Sequence, residues 1–443
     1  EMATAFVSVA CGATTAPLNP SYRQDEFRFY LEDLKAKALI VEAGSESPAV
    51  AAAKELGVPL IELEVADGSA AGDFTLKASG LKSDATHPGF AQADDVGLIL
   101  HTSGTTSRPK IVPLSQKNLA ASARNISATL GLTAEDRCLN IMPLFHIHGL
   151  IAAVLTSLSA GASVYCTPGF NALKVFSSLE DCKPSWYTAV PTMHQAILSR
   201  ASRNKEILAA TNLKFVRSSS SSLPPQVMAE LEETFGCPVI EAYGMTEATH
   251  QMACNPLPPA ARKPGTVGIA AGPEVGIMDT DGNILAAGGT GEIVIRGDNV
   301  TAGYENNDTA NAEAFTHGWF RTGDQGVMDD ESYVSITGRL KEIINRGGEK
   351  ISPREVDEVL MDHTAVALVV TFAIPHDKLG EEVAAVVVLR EGEAAEERDI
   401  RDFAATRLAD FKVPRTILFM DEIPKGATGK LQRIGLAEKL GLA

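Results

Sequence analysis

Strand patterns and helical patterns alternate through the first half of the sequence. Residues 96–100, 163–165 and 214–216 are rich in β-branched and other apolar residues, whereas residues 118–130 and 226–234 are candidate helices. Parallel strands need a long crossover connection, and a helix usually supplies it. The alternation therefore predicts a mostly parallel α/β sheet for this part of the chain.

The pattern changes twice beyond this region. From about Cys254, Gly and Pro become frequent, Asp281-Gly282 is typical of a hairpin, and residues 292–296 predict an exposed strand. We expect a small antiparallel sheet or barrel here. From about Gly338 a third pattern begins, which predicts a compact α+β domain.

Local signals support this third region. Ser352, Pro353 and Glu355 have the spacing of a capping box with Pro at the first helical position, and residues 366–374 and 383–389 are candidate strands.

The expected division of the chain follows from these changes. A large N-terminal domain covers residues 1–340 and includes a β-rich, barrel-like subdomain at 255–340, and a small C-terminal domain covers 341–443. At about 150 residues per domain, 443 residues suit about three domains or subdomains. The chain opens with Glu1 and a short apolar helical pattern, so we expect the large domain to be N-terminally incomplete.

Composition excludes several classes of protein. Hydrophobic residues make up 45% and charged residues 21%, which excludes a disordered or fibrous chain. The net charge of −17 argues against nucleic-acid or membrane partners, although a local basic pocket for a small polyanion remains allowed. The six cysteines include no CxxC pair, and no apolar run reaches the roughly 18 residues of a membrane span. We therefore expect reduced thiols, a cytoplasmic location and no membrane insertion.

A loop rich in hydroxyl groups follows the candidate strand at 96–100. It reads His-Thr-Ser-Gly-Thr-Thr-Ser-Arg-Pro-Lys over residues 101–110 and combines hydroxyls, a glycine and two cations, which suits a triphosphate. It lacks the second Gly and the Gly-Lys-Ser/Thr ending of a Walker A loop. Taken alone, it also fits a polar surface loop that caps the following helix.

Further motifs lie before and after this loop, in a fixed order along the chain. They are PLNP at 17–20, YGMTE at 243–247, WFRTGD at 319–324, GRLKE at 338–342 and PKGATGK at 424–430. Together with the loop at 101–110 they resemble the adenylate-forming superfamily, which includes acyl-CoA synthetases, luciferase and peptide-synthetase adenylation domains. The resemblance covers essentially the whole chain and implies a large α/β domain with a β-rich subdomain, followed by a mobile C-terminal lid.

The resemblance implies ATP binding by residues from most of these motifs. Glu247 would ligate Mg²⁺, Thr246 would donate to a phosphate, Asp324 would accept the ribose hydroxyls and Arg339 would donate to the ribose or α-phosphate. The ATP-binding set is Thr102, Ser103, Gly104, Thr105, Thr106, Lys110, Ser220, Glu241, Ala242, Tyr243, Thr246, Asp324, Arg339 and Lys430. Outside this context Glu247 and Lys430 fit solvated surface groups, and Tyr243 fits a core residue.

The implied reaction is adenylation of a carboxylate followed by transfer to coenzyme A. Lys430 would stabilise the adenylation transition state, with Thr246, Glu247 and His146 as the other catalytic residues. The lid would then turn about the hinge Lys341 and bring Gly347, Gly348 and Lys350 to a CoA tunnel. Two departures from the usual motifs are Gly426, where Thr is common, and Ser107-Arg108 in the phosphate loop.

Polar residues replace apolar ones where a fatty-acyl pocket would lie. Residues 143–149 (PLFHIHG), the serine run 218–222, WYTAVPT at 186–192 and Ala248-Thr249-His250 together resemble the oxalate–CoA ligase group of the superfamily. His146, Ser220 and His250 would form a short pocket for a second carboxylate, since polar groups are costly beside a hydrocarbon tail. Either histidine also fits a hydrogen-bonded core residue.

Several functions fit this set of motifs. Malonate or another short carboxylate would also suit the polar pocket, and a non-catalytic nucleotide-binding scaffold would share the nucleotide motifs. A kinase or ATPase would release ADP, whereas an adenylate-forming enzyme releases AMP and pyrophosphate. The expected partners are therefore small molecules: ATP, CoA and a short dicarboxylate.

Overall fold

The structure is a computed structural model that describes residues 1–78, 81, 88–102, 109–424 and 433–443. Among these residues no helix is both long enough and apolar enough to cross a membrane.

The first part of the chain builds two small sheets. A parallel β1–β2 pair is extended by β3, and β4 and β5 form an antiparallel ribbon. The elements are α1 (Met2–Ala10), α2 (Gln24–Asp33), β1 (Leu39–Glu42), α3 (Pro48–Glu55), β2 (Leu60–Glu64), β3 (Thr75–Ala78), β4 (Val96–Thr102), β5 (Lys110–Ser115) and α4 (Gln116–Thr129). The strand predicted at 96–100 is thus present, but it pairs with β5 and does not join the parallel sheet.

A mixed seven-stranded sheet forms the centre of the described chain, in the order β12-β11-β10-β9-β8-β6-β7. Its elements are β6 (Arg137–Asn140), a π-helix (His148–Leu155), α5 (Thr156–Ser159), β7 (Ser163–Cys166), α6 (Val175–Cys182), β8 (Trp186–Ala189), α7 (Pro191–Ala201), α8 (Lys205–Ala210), β9 (Phe215–Ser219), α9 (Pro225–Phe235), β10 (Val239–Met245), a 3₁₀ turn (Thr246–Ala248), β11 (His250–Cys254) and β12 (Ile269–Ala270). Strands β6 to β10 run parallel, which confirms the predicted α/β sheet.

Strands β8 and β9 lie in the middle of this sheet and are buried along their whole length. Two apolar clusters cover them. Trp186 and Phe215 belong to one, and Tyr187 and Val216 belong to the other. A strand buried on both faces needs apolar side chains on both, so the polar residues within β8 and β9 call for a separate explanation.

A fourth sheet is antiparallel, as predicted. It contains β13 (Glu274–Met278), β14 (Thr290–Arg296), β15 (Phe315–Thr316), β16 (Trp319–Met328) and β17 (Val334–Arg339), with α10 (Asp308–Ala314) before β15. The prediction that residues 292–296 are exposed is wrong. Ile293, Val294 and Ile295 are fully buried, because β14 lies between β13 and β16 and its side chains join the main core.

The last part of the chain forms its own sheet and core. Its elements are β18 (Ile344–Arg346), β19 (Glu349–Ile351), α11 (Pro353–Met361), β20 (Val366–His376), β21 (Gly380–Leu389), α12 (Glu397–Ala405), β22 (Thr416–Phe419) and α13 (Leu436–Lys439). The turn that contains Lys341 connects β17 to β18. The domain limits at residues 340 and 341 stay a prediction.

The predicted helix start at Ser352 is present, but only half of the capping box forms. The Ser352 hydroxyl accepts a hydrogen bond from the Glu355 amide at 3.5 Å. The Glu355 carboxylate does not return to Ser352. It binds the Lys412 ammonium at 2.5 and 2.7 Å, because a charged partner is within reach.

Candidate active site

Several predicted site residues, among them Ser220, Tyr243 and Glu247, lie at the carboxyl ends of β9 and β10 or in the turn that follows β10. In parallel α/β sheets, ligands bind outside the carboxyl ends of the strands. The register places Thr188 of β8 beside Arg217 of β9, and Ser219 of β9 beside Ala242 of β10. Strand pairing therefore places these residues next to one another at one edge of the sheet.

One polar group joins β10 to β16 and β17. The Tyr243 hydroxyl donates to Asp324 Oδ2 at 2.5 Å, and Arg339 Nε donates to Asp324 Oδ1 at 3.0 Å. The negative charge of Asp324 raises the pKa of Arg339, and burial raises the pKa of Tyr243 well above its usual value. A carboxylate has about four acceptor positions, so Asp324 can accept further donors beside these two.

A second group surrounds Glu247 in the 3₁₀ turn. The Glu247 carboxylate is buried and accepts a hydrogen bond from the Tyr304 hydroxyl at 2.8 Å. Lys110 Nζ lies over the Tyr304 ring, 4.2 Å from its centre. Burial raises the pKa of Glu247, although the Tyr304 hydroxyl and the Lys110 charge favour its ionised form. Two charges of opposite sign are thus held around one aromatic ring.

A third group, here named the histidine cluster, consists of Thr188, Arg217, His148, Ser220 and His250. The His148 ring approaches Thr188 Oγ1 through Nε2 at 2.6 Å and Ser220 Oγ through Nδ1 at 3.1 Å. Its ring stacks on His250, with 5.0 Å between the ring centres. Arg217 Nη2 lies 3.1 Å from His250 Nε2. The cluster joins four separate segments of the chain into one polar wall.

Backbone conformation helps to set this wall. Ser220, Thr249 and His250 have φ values of +73°, +50° and +103°, which residues with a Cβ rarely adopt. Gly244 lies against His250, since a Cβ at Gly244 would be 1.8 Å from the His250 carbonyl oxygen. The close β10–β11 turn thus fixes where His250 lies.

Ser220 and His250 both contact the His148 ring, which approaches Ser220 Oγ and stacks on His250. Their role in a substrate pocket stays a prediction. His146 is half-buried one turn away, and its Nδ1 accepts a hydrogen bond from the His148 amide at 3.2 Å. Thr246, half-buried, begins the turn that contains Glu247.

Glu241 and Ala242 lie side by side on β10. The Ala242 carbonyl accepts a hydrogen bond from the Ser219 hydroxyl at 2.7 Å. The Glu241 carboxylate accepts one from the Leu223 amide at 3.0 Å. Burial raises the pKa of Glu241 to about 7, although the charge of Arg354 in α11 acts in the opposite direction.

Some predicted residues lie outside the described part of the chain. These are Ser103, Gly104, Thr105, Thr106, Ser107 and Arg108 of the phosphate loop, and Gly426 and Lys430 of the last motif. The residues that flank the phosphate loop are described. Thr102 at the end of β4 is the register partner of Lys110 at the start of β5.

The predicted hinge and CoA residues lie in the last part of the chain. Lys341 is exposed in the turn after β17, where the Leu340 amide donates to the Gly323 carbonyl at 2.9 Å. Gly347 and Gly348 form the turn between β18 and β19 with φ values of +60° and +99°, and Lys350 is exposed on β19. Their functional roles stay predictions.

The residues His148, Arg217 and Thr188 were not predicted as site residues. For Arg217 and Thr188 a signal was available, because each is a polar residue within a run that is otherwise typical of a buried strand. His148 begins a π-helix, and no strand pattern surrounds it. Arg217 is fully buried between Val216 and Ser218, and Thr188 between Tyr187 and Ala189.

Comparison with known proteins identifies the class of enzyme. The model of the family described as AMP-binding enzyme matches residues 1–305, and that of the AMP-binding enzyme C-terminal domain matches residues 355–430. The chain therefore belongs to the AMP-binding enzymes, which confirms the resemblance to the adenylate-forming superfamily.

Relatives narrow the comparison further. The chain is 46% identical to the oxalate–CoA ligase of Arabidopsis thaliana over 426 residues, 95% of this chain and 82% of the relative. It is 42% identical to the oxalate–CoA ligase of Saccharomyces cerevisiae, over 99% of this chain and 84% of the relative. A probable CoA ligase of Humulus lupulus is 46% identical over 97% of this chain and 82% of its own length.

Solved structures agree with the fold. ATP-bound MatB from Rhodopseudomonas palustris matches with a TM-score of 0.86 at 29% identity, over 98% of this chain and 86% of that protein. The o-succinylbenzoate CoA synthetase of Bacillus subtilis with ATP and magnesium matches with a TM-score of 0.81, also at 29% identity and with the same coverage. The predicted fold class, a large α/β domain followed by a small C-terminal one, is confirmed.

Proposed function

We propose that the protein is an ATP-dependent ligase that joins oxalate to coenzyme A. An oxalate oxygen would attack the α-phosphorus of ATP and expel pyrophosphate, which leaves oxalyl-adenylate. The CoA thiol would then attack the oxalyl carbon, expel AMP and form the thioester. The family supports ATP and CoA as the co-substrates.

The histidine cluster carries the proposal. Oxalate has two adjacent carboxylates, so when one reacts the other needs hydrogen-bond donors and positive charge nearby. Ser220, His148 and His250 supply polar groups at the carboxyl end of the sheet, and Arg217 supplies a buried positive charge behind them. A hydrocarbon chain would bind poorly against this wall. The polar groups of the wall would lose their water and gain no hydrogen-bond partner in return. The names of the relatives from Arabidopsis and yeast support the same substrate.

The nucleotide would lie between the Tyr243–Asp324–Arg339 group and the Glu247–Tyr304–Lys110 group. Asp324 would accept the ribose hydroxyls, Arg339 would face the ribose or α-phosphate, and Lys110 would hold phosphate oxygens. Thr102, Thr246, Ser220, Glu241 and Ala242 complete the described part of the proposed ATP site. Ser103, Gly104, Thr105, Thr106 and Lys430 belong to the same proposal, although they lie outside the described residues.

Mg²⁺ fits the proposed site through Glu247. Among the described residues no group of three or more His, Cys, Asp or Glu side chains could hold a metal ion. This suits Mg²⁺, which takes one or two carboxylates together with substrate phosphates. The Tyr304 hydroxyl holds the Glu247 carboxylate in place at 2.8 Å. When bound, Mg²⁺ would neutralise charge on the phosphates.

The lid completes the proposed mechanism. Lys430 would stabilise negative charge as pyrophosphate leaves, and His146 would line the acid side of the pocket. Rotation about Lys341 would then exchange Lys430 for the loop that contains Gly347, Gly348 and Lys350, so that CoA can enter. We also propose a cytoplasmic location, and no nucleic-acid or membrane partner.

A substrate panel tests the proposal. Pyrophosphate release is measured with oxalate, malonate, acetate, succinate and a long-chain fatty acid, with ATP, Mg²⁺ and CoA present. We expect the highest kcat/KM for oxalate and formation of AMP without ADP. A preference for malonate would assign another short diacid, and consumption of the fatty acid in preference to both would overturn the polar-pocket proposal.

Three variants connect the activity to residues. Ser220→Ala and His250→Ala are each expected to raise the oxalate KM about tenfold or more, because each removes a polar group worth roughly 1–3 kcal/mol when buried. Lys430→Ala is expected to abolish most adenylation and spare ATP binding. Retained ATP binding without AMP formation in the wild-type protein would favour a nucleotide-binding scaffold.

A further inference from the structure

Arg217 is a buried cation whose described hydrogen-bond partners are all neutral. Its side chain is fully buried on β9, and among the described residues no Asp or Glu forms an ion pair with it. Its hydrogen bonds go to neutral groups: Nη2 to Gln251 Oε1 and to His250 Nε2, each at 3.1 Å, and Nη1 to Thr188 Oγ1 at 3.4 Å. A buried charge is costly, so a guanidinium kept in this position calls for an anion nearby or a specific structural task.

The guanidinium fixes the direction of the hydrogen bonds that start from it. Arg has five donors and no acceptor. Thr188 Oγ1 must therefore accept from Arg217, and His250 must present an unprotonated Nε2. The proton of His250 then resides on Nδ1.

The same direction is passed to Ser220. Thr188 is fully buried and has one hydroxyl proton, and the His148 Nε2 atom lies 2.6 Å from its oxygen. If Thr188 donates to Nε2, the neutral His148 ring carries its proton on Nδ1, which lies 3.1 Å from Ser220 Oγ. His148 then donates to Ser220, and the half-buried Ser220 hydroxyl has its own proton left for another acceptor.

We propose that Arg217 is a positioning residue that selects a carboxylate at the far end of the substrate. Arg217 acts through Thr188 and His148. It sets the direction of this series of hydrogen bonds, so that the Ser220 hydroxyl donates its proton to that carboxylate. With the opposite polarity, Ser220 would donate to His148 and present lone pairs to the carboxylate, which would repel it. This inference rests on the proposed oxalate activity and extends it to residues that do not touch the substrate.

Thr188→Val tests the second residue in this series of hydrogen bonds. Valine has nearly the same shape as threonine but no hydroxyl, so it cuts the path between Arg217 and His148. We expect the oxalate KM to rise tenfold or more, while the ATP KM stays within about threefold of the wild-type value. For oxamate, in which an amide replaces one carboxylate, KM or the inhibition constant should change less than threefold, since an amide can donate or accept.

Matched variants separate this effect from a general loss of structure. Thr156→Val makes the same change at an equally buried threonine whose hydroxyl has no partner among the described residues, and it should leave the oxalate KM unchanged. Thr188→Ser restores a hydroxyl and should recover most of the oxalate affinity. Arg217→Gln, which removes the charge, should lower the ratio of oxalate to oxamate affinity as Thr188→Val does.

A spectroscopic measurement tests the proposed polarity without any substrate. ¹⁵N NMR of the nine histidines distinguishes the two neutral tautomers of each ring, and His148→Gln assigns the signal. We expect His148 and His250 to be protonated at Nδ1. A proton on Nε2 of His148 would overturn the proposed polarity whatever the kinetics show.

The outcomes distinguish this inference from the function on which it rests. If Ser220→Ala loses oxalate but Thr188→Val and Arg217→Gln do not, the oxalate pocket stands and the role of Arg217 is wrong. Equal losses for oxalate and oxamate in Thr188→Val would mean a merely structural role and would also reject it. If the wild-type protein releases no pyrophosphate with oxalate, both proposals fall.

Discussion

A single buried carboxylate, Glu241, links the proposed nucleotide site to the pH dependence of stability. Burial raises its pKa from 4.5 to about 7, so the folded protein keeps the Glu241 proton at a pH where the unfolded chain has released it. Stability from this group is complete below pH 4.5 and is lost as the pH rises toward 7. The loss amounts to about 3 kcal/mol, since each pKa unit corresponds to about 1.4 kcal/mol.

Glu241→Gln should remove this loss and keep an oxygen that accepts from the Leu223 amide. We expect the free energy of unfolding of the variant, relative to wild type, to increase by about 3 kcal/mol between pH 4.5 and pH 8. Urea unfolding at a series of pH values measures the difference. Glu313→Gln makes the same change at an exposed glutamate in α10 and is the control for effects that do not depend on burial. A flat difference for Glu241→Gln would mean that Glu241 is ionised in the folded protein at neutral pH.

The sequence singles out individual residues where a proposed role belongs to a local motif, and these roles stay predictions. Glu247 and Ser220 were found because each lies in a short segment with a recognisable order of residues, and the structure places both at the carboxyl end of the sheet. Arg217 and His148 were missed as site residues, because their importance depends on contacts with Thr188 and His250, which are distant in sequence. No local sequence pattern predicts that four segments distant along the chain will contact one another.

At the scale of elements, the β10–β11 hairpin positions more of the site than any other turn described above. Tyr243 and Glu247 come from its first half, and His250 begins its second strand. A β-bulge lies between Tyr243 and Gly244, and the His250 backbone passes close to Gly244. The hairpin therefore connects the proposed ribose, magnesium and oxalate contacts through a few residues of backbone.

Gly244→Ala should disrupt this hairpin. The new Cβ would lie 1.8 Å from the His250 carbonyl oxygen and 2.6 Å from its carbon, and backbone atoms cannot turn away as a side chain can. We expect a loss of roughly 3 kcal/mol or more in the free energy of unfolding, at the upper end for overpacking, and a higher oxalate KM in any folded fraction. Urea unfolding and pyrophosphate release measure the two effects.

Gly276→Ala in β13 is the matched control for this substitution. Its Cβ would meet the end of the flexible Ile284 side chain at 3.1 Å, so the loss should be much smaller. Equal stability of the two variants would show that the β10–β11 turn can widen to accept a methyl group.

Elements were predicted best where one local pattern decided them. Helices α9 and α11 and strands β20 and β21 lie within a few residues of their predicted positions. Exposure was harder to predict. Residues 292–296 combine charged ends with three apolar residues, and this pattern fits an edge strand or a central strand. The neighbours β13 and β16, which are set by the whole sheet, decide between them.

At the scale of the whole molecule, the last part of the chain contacts the central part in several places. The Gln226 side chain binds Asp362, the Ser352 hydroxyl donates to the Thr337 carbonyl, and the charge of Arg354 acts on Glu241. These three contacts are polar, which suits an interface that opens and closes. The proposed turn about Lys341 would have to break them between the two half-reactions.

A removable crosslink across one of these contacts tests the proposed motion. Gln226→Cys and Asp362→Cys place two thiols on side chains that touch, and a short bismaleimide with a photocleavable o-nitrobenzyl group would hold them together. One fixed arrangement can serve at most one half-reaction.

Asp362 ends the helix α11, and the charge of Arg354 in the same helix acts on Glu241 of the proposed ATP site. We therefore expect oxalate-dependent pyrophosphate release in the first turnover to persist and oxalyl-CoA formation to fall at least about 100-fold. Cleavage of the linker with near-ultraviolet light should restore oxalyl-CoA formation. Each single variant treated in the same way controls for modification of the native thiols, including the exposed Cys11 and Cys166. Undiminished thioester formation by the crosslinked protein would show that both half-reactions proceed without the lid turning.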